Sequence, residues 1–423
     1  MKPYRHIAWM ACTLFLHASH AREIIVCPTC TVSTISDALE NASDGDLILV
    51  KHGVYAEKTL NVNKSVTIQG EGYPIIDGQN AYELFRVTAN HVTLRGLHIR
   101  NVGTSYTEDR AGIRIDRAAH FLIEDNKLED AFFAIYLAYA KHGVVIGNEI
   151  IGNAENEVSS GNGIHLWYCR HIRIEKNTIR GHRDGIYFEF ADSCLISNNL
   201  SEGNLRYGLH FMFSNDDVYA SNTFRENGSG VAVMFSRRIA MHDNFFVNNW
   251  GSSSYGLLLK EIYDTEIHNN HFLKNTIGIN LEGATRINYY HNQFDANGWA
   301  LRVSGGCLDN AFYQNNFQGN TFDIGMQNAA ATNTFDNNYW SDYTGYDLDR
   351  DGTGDVPYRP VKLFSFIVNQ TPEALILLRS WFTDVLNFAE KVTPVLTPAN
   401  VIDQNPRMKP VVIHRVITRN AEH

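Results

Sequence analysis

Residues 208–213, GLHFMF, set His210 and Met212 two positions apart in a stretch that alternates like a β-strand. Successive strand side chains point to opposite faces, so these two share one face while Leu209, Phe211 and Phe213 take the other, which reads as core. Imidazole and thioether together form a soft donor set that suits Cu(I) and that Ca²⁺ or Mg²⁺ would not select. GVAVMF at 230–235 offers Met234 at the matching place, and GIHLW and GIYFE offer His165 and Glu189 in theirs. What such residues can do depends on whether their strands are neighbours.

A repeat makes them neighbours. Strand openings recur as GIRI (112), AIYL (134), GIHL (163), GIYF (185), GLHF (208), GVAV (230), GLLL (256), GINL (278) and ALRV (300). Most steps are 22 or 23 residues; the steps of 29 into Gly163 and 26 into Gly256 place insertions at 153–161 and 248–255. An asparagine keeps the same register at 126, 148, 177, 198, 222, 244, 270, 292, 315 and 337, each followed two residues later by Leu, Ile, Phe or Tyr. A buried Asn at one turn of every coil can hydrogen-bond its backbone and its neighbours above and below. Short period-2 strands, corner glycines and this ladder predict an all-β fold, a parallel β-helix of about ten or more coils. Leucine-rich repeats share the period but not the composition.

In that register the outward residues of the first sheet run Arg114/Asp116, Tyr136/Ala138, His165/Trp167, Tyr187/Glu189, His210/Met212, Ala232/Met234, Leu258/Lys260, Asn280/Glu282 and Arg302/Ser304. Corresponding residues stack at about 4.8 Å. Both ends carry charge, as a solvated face should. The middle predicts a Cu(I) contact from His210, Met212 and Met234, with His165 as a fourth ligand. A blander reading has an insertion loop folding over the patch and making it core. An enzymatic reading casts Glu189, His210, Tyr187 and Trp167 as a carbohydrate-binding, lyase- or epimerase-type site. A glycosidase, however, needs two carboxylates roughly 5–9 Å apart, and Glu189 has no acidic neighbour in the adjacent rows.

Composition narrows the partners. The chain carries 36 Lys+Arg against 46 Asp+Glu, a formal charge of −10. Lys2 and Arg5 ahead of IAWMACTLFL, ending at Ser19-His20-Ala21, read as a secretory signal over 1–21. Its removal leaves 34 basic against 46 acidic residues, hence −12. That argues against nucleic acid as a partner. Five cysteines remain, Cys27, Cys30, Cys169, Cys194 and Cys307, so at least one thiol is free or intermolecular. Cys27 and Cys30 in CPTC read as a local disulfide of an oxidising compartment, or as a soft-metal clamp.

DLDRDGTGD at 347–355 puts Asp347, Asp349, Asp351 and Asp355 at positions 1, 3, 5 and 9 of a calcium loop, with Gly352 at position 6. Position 12 is Tyr358, where a bidentate acid belongs, so a tight Asp-Gly turn is the competing reading. The chain divides into a leader (1–21), a cap with irregular first coils (22–111) and a helix near 34–42, regular coils (112–340), the Asp-Gly loop (341–360) and a C-terminal segment (361–423). Within the last, Leu375, Leu378, Phe382, Val385, Leu386 and Ala389 recur at helical spacing over 372–392. An extended Pro-rich tail, 393–410, follows. The helix either caps the last coil or docks on a partner.

NNYWSDYTGYDLDRDGTGDVPYRP (337–360), after a solenoid with an Asn ladder and before TPEALILLRSWFTDVLNFAEKVTP (371–394), resembles the NosD family. The likeness covers essentially the whole chain after the leader. It implies a right-handed β-helix and a periplasmic, non-catalytic subunit of an ABC-type complex with a membrane subunit (NosY) and an ATPase (NosF). It further implies a role in copper-site assembly of nitrous-oxide reductase, with a copper lipoprotein (NosL) as donor. No family motif carries over as metal ligands. The resemblance favours docking for 361–410, with Trp381 and Phe382 near the contact and the protein membrane-associated through that subunit.

Overall fold

Three parallel sheets of 14, 12 and 13 strands run along one axis, and after the first strand, Glu23–Val26, which pairs with the next in the chain, strands three apart are hydrogen-bonded neighbours. The computed structural model describes residues 21–105, 107–326, 332–392 and 401–413. Apart from Ala21, the expected leader lies outside them. One coil shows the plan. Tyr207–Met212 belongs to the long-strand sheet, Val218–Ala220 to the second, Thr223–Arg225 to the third, and Ser229–Met234 then lies on Tyr207–Met212. The fold is the expected parallel β-helix.

Inward aliphatics fill the core, and along one wall the rings of Phe224, Phe246, Phe272, Phe294, Phe317 and Trp340 stack 4.2–5.6 Å apart. Stacking of like groups follows from the repeat, which sets identical backbone positions about one strand spacing apart. The Asn ladder climbs beside them. Asn222 Nδ2 donates to Asn244 Oδ1 at 3.0 Å and to the Ile196 carbonyl at 2.9 Å, and each rung repeats the pattern. Two rungs differ from expectation: Asn199 and Asn338 occupy the ladder, while Asn198 and Asn337 take the left-handed position before it. The inward residue after Asn199 is Ser201, buried and bonded to the Gly208 carbonyl at 2.8 Å, so the expected apolar marker pointed one residue early.

A second ladder was not anticipated. Asn204, Asn227, Asn249, Asn275, Asn297 and Asn320 pass the same amide-to-amide bonds at the corner leading into the long strands, with His182 at the near end.

Corners also break the alternation. At the end of the long strand Phe213 has φ +52° and turns outward, 40% exposed, so it is not the core residue that alternation from Leu209 and Phe211 suggested. At the start, a Cβ on Gly163 or Gly208 would lie against the core side chains of Ile179 or Phe224. The glycine thus faces inward, and the residue before it faces out, adding a third outward row that includes Asn162, Asp184 and Tyr207.

The ends are closed, as bare strand edges require. α1 (Ile35–Asn41) lies where expected, with Thr34 Oγ1 accepting from Asp37 N at 3.0 Å. At the far end α2 (Leu363–Gln370), not foreseen, packs Phe364 and Val368 on Ile277, Trp299 and Phe322 of the long-strand sheet. Asp403 then terminates the ladder, accepting from Asn338 N at 3.0 Å and Trp340 Nε1 at 3.0 Å. The single helix expected over 372–392 is instead a 3-10 turn, Pro372–Leu377, and α3 (Trp381–Val392), because Arg379 adopts φ +130° between them. α3 leaves Trp381, Phe382, Val385 and Phe388 exposed, Trp381 by 77%.

Candidate functional site

The long-strand sheet places Met212 opposite Met234 as paired residues of adjacent strands, and His210 opposite Tyr187 and Ala232. Both insertion loops precede long strands and therefore lie at their N-terminal edge. The thioethers, at the C-terminal edge, stay partly exposed. The covering-loop alternative does not hold for them. A polar cleft of about 280 Å³ does form at the opposite edge, lined in part by Asn80, Asp130, Glu155, Ser160 and His182.

His210 is only 3% exposed, and neither ring nitrogen has a hydrogen-bond partner. Tyr207 and Tyr187 wall it in, with ring centroids at 4.8 and 5.1 Å. Burial first, and then the nearby Arg206 and Arg183, push its pKa down to about 3. It is therefore a neutral imidazole with a lone pair that nothing in the described structure uses. A buried polar group without a protein partner costs free energy, so such a group calls for a water, an ion or a functional role to account for it.

His165 is held differently. It stacks between Tyr136 and Tyr187, at 4.6 and 4.8 Å, and its Nδ1 lies 2.9 Å from Asn162 Nδ2. Tyr187 separates it from His210, so the structure does not bring His165 into the His210–Met212–Met234 group. Tyr187 donates to Glu189 Oε2 at 3.2 Å. Asp184, from the unforeseen row, is fully buried beside Arg183 at 3.2 Å, and burial raises its pKa. By strand rise it lies roughly 16 Å from Glu189, too far for a glycosidase pair.

Beyond the methionines the face continues as a column of rings at the left-handed corner: Tyr139, Tyr168, Phe190, Phe213 and Phe235, with centroids 4.6–5.5 Å apart. Strict alternation could not reveal it. Its signal is an aromatic residue one place past each long strand, in LAY, LWY, FEF, FMF and VMF. The rings lie face to face, so they offer edges outward; sugar platforms use ring faces.

The other expected sites resolve as follows. Cys27 and Cys30 form a disulfide, while Cys169, Cys194 and Cys307 are free and buried. Burial pushes the Cys169 thiol up to about 12, which keeps it protonated. Asp347, Asp349 and Asp351 bring carboxylate oxygens within 4.8 Å of one another. Asp347 accepts from Gly352 N at 2.9 Å, Asp351 from Thr353 N at 2.6 Å, and Asp355 from Leu348 N at 2.7 Å, as a self-capped turn would.

Burial also holds His165 at about 3 and His182 at about 4. A pKa depressed on folding means that the unfolded chain binds more protons between that value and about 6.5, so stability is present above 6.5 and lost as pH falls. Denaturant titrations should therefore show a loss of about 2 kcal/mol per buried imidazole by pH 5. His210→Leu should flatten that slope by about a third; an unchanged slope would contradict the burial.

A model of the family described as periplasmic copper-binding protein (NosD) matches residues 39–160 and 154–345. A probable ABC transporter binding protein NosD from Pseudomonas aeruginosa is 27% identical over 422 residues, covering 88% of this chain and 91% of that one. The protein of the same name from Stutzerimonas stutzeri is 27% identical over 396 residues, covering 83% and 84%. Among solved structures, the Dettilon tailspike protein superposes with a TM-score of 0.59 at 15% identity, over 74% of this chain and 70% of that one. The family 28 exopolygalacturonase of Yersinia enterocolitica does so with 0.59 at 10%, over 76% and 78%. At such identities these two share the fold alone. The family match spans the coils that carry the thioether face, and the chain belongs to the NosD family of periplasmic copper-binding proteins.

Proposed function

We propose that this protein is the periplasmic subunit of an ABC-type complex that serves copper-site assembly in nitrous-oxide reductase, with Cu(I) as its cargo. The ion binds transiently at His210, Met212 and Met234. The observation that carries this reading is the buried, neutral, unpartnered imidazole of His210 on the same face as two stacked thioethers. Two partly exposed thioethers beside one buried imidazole suit a cargo that must leave again, because thioethers bind Cu(I) without a compensating charge. His165, held by Asn162, lies outside this set. The chain is exported by its leader and is not itself catalytic; the edge-on aromatic column and the isolated Glu189 speak against the polysaccharide reading.

α2 and residues 401–411 are engaged with the solenoid and Ala374, Leu378 and Leu386 pack on the same cluster, so it is the exposed Trp381, Phe382, Val385 and Phe388 of α3 that dock the membrane subunit (NosY), the partner of the ATPase (NosF). Large exposed apolar surface of this kind marks interaction sites. Trp381→Ser with Phe382→Ser should cut co-purification with the membrane subunit at least roughly tenfold, the order expected for losing aromatic anchors. The thermal midpoint should not move. Full co-purification would refute the docking role.

Cargo receipt from the copper lipoprotein (NosL) and delivery to the reductase are tested in cells. Reductase purified from a strain lacking this protein should contain no sulfide-bridged copper cluster, and a complete cluster would overturn the assignment.

A further inference from the structure

The second asparagine ladder stops at His182, whose backbone N–H donates to Asn204 Oδ1 at 3.0 Å. In the later coils this position holds Asn204, Asn227, Asn249, Asn275, Asn297 and Asn320. One coil earlier the chain leaves for the insertion at 153–161, and the polar cleft of about 280 Å³ opens there. The ring of His182 forms part of its wall. That side chain is 2% exposed, and its Nε2 has no hydrogen-bond partner. A Cβ on Gly152 or Gly163 would come within 2.9 or 3.3 Å of its Cδ2, so these two glycines make room for the ring.

The rest of the wall includes Asp130, Glu155, Asn80, Asn153 and the half-buried Phe132. Among the described residues that line the cleft there is no Lys or Arg, and neither carboxylate has an ion-pair partner. The guanidinium of Arg183, next to His182, is turned to Asp184 and Asn162 at 3.2 and 3.1 Å. Arg110 is drawn off by Glu108 at 3.2 Å and by the Ala81 carbonyl at 2.7 Å.

We propose that this cleft binds a small organic cation, whose ammonium or guanidinium groups face Asp130 and Glu155 and donate to the imidazole of His182. Two carboxylates without a counter-charge repel an anion. A neutral ligand would leave both uncompensated, whereas a guanidinium makes charge-assisted, forked bonds with a carboxylate. Phe132 offers a ring against which a cation can lie. Burial holds His182 at about 4, so at neutral pH its imidazole accepts a proton donor without repelling a cation. The volume lies just below the roughly 300 Å³ at which pockets for drug-sized ligands begin, so the occupant is small. The cleft is at the opposite edge of the sheet from Met212 and Met234 and owes nothing to copper.

Agmatine, which carries both an ammonium and a guanidinium, is the probe. Titration calorimetry on the full mature chain at neutral pH and low salt should give a saturable isotherm that weakens as salt is added. Asp130→Asn/Glu155→Gln should weaken binding at least roughly tenfold, as expected for losing charge-assisted bonds. His182→Asn installs the residue that the ladder uses in the later coils, so the thermal midpoint should hold while agmatine binding falls. Asp349→Asn/Asp351→Asn, in the other acidic cluster, should bind agmatine as the unsubstituted protein does, which separates the cleft from the general attraction of an acidic chain. Glucose and glutarate should not compete. Absence of saturable agmatine binding, identical isotherms for Asp130→Asn/Glu155→Gln and the unsubstituted protein, or displacement by glucose would overturn the proposal.

Discussion

Met212→Leu/Met234→Leu is expected to weaken Cu(I) binding at least roughly a hundredfold, about 2.7 kcal/mol, in anaerobic competition titrations. Leucine replaces methionine at nearly constant volume, a swap that usually costs less than about 1.5 kcal/mol even in a core. Both side chains are partly exposed, so the fold loses less. What disappears is the pair of sulfurs, leaving His210 as a lone imidazole whose flanking rings, Tyr187 and Tyr207, supply no soft donor. Equal stoichiometry and affinity in the variant and the unsubstituted protein would mean that copper binds elsewhere.

The largest stability effect should come from the ladder. Asn222 Oδ1 accepts from Asn199 N and Asn199 Nδ2, both at 3.0 Å, and its Nδ2 donates to the Ile196 carbonyl and to Asn244 Oδ1. Asn222→Ala strands the Asn199 N–H, an Asn199 amide proton and the Ile196 carbonyl in the buried interior. Each buried unsatisfied group costs about 1–3 kcal/mol, so unfolding should become easier by roughly 3–5 kcal/mol. The damage passes to both adjacent coils, since nearest-neighbour interfaces carry solenoid stability. Asn198→Ala, at the exposed-side corner, should cost far less. Equal losses at 198 and 199 would contradict the ladder register.

That pair of asparagines also shows where sequence reasoning reached and where it failed. The repeat spacing sufficed to set Met212 against Met234, because a parallel coil converts a 22-residue step into one strand spacing. The helix expected near 34–42 lies outside the repeat, and α1 forms there with Thr34 as its cap. Alternation failed wherever the backbone left the extended region. Left-handed residues at the corners turned Phe213 outward and built the aromatic column, and inward-facing corner glycines hid Asp184 and Tyr207. The second ladder was visible as Asn three residues before the glycine in ENGSG and KNTIG, but Asn-Gly in a loop reads equally as a turn. Burial of His210 was not legible at all. It depends on Tyr207 as well as on Tyr187, and the inward-facing Gly208 is what turns Tyr207 onto that face.

Copper K-edge X-ray absorption on the protein loaded anaerobically with one equivalent of Cu(I) addresses the thioether face directly. A shell of two sulfurs at roughly 2.3 Å with one nitrogen near 2.0 Å is the expected result, and the sulfur shell should vanish in Met212→Leu/Met234→Leu. A first shell of nitrogen and oxygen alone, or a sulfur shell that survives the double substitution, would contradict copper binding at His210, Met212 and Met234.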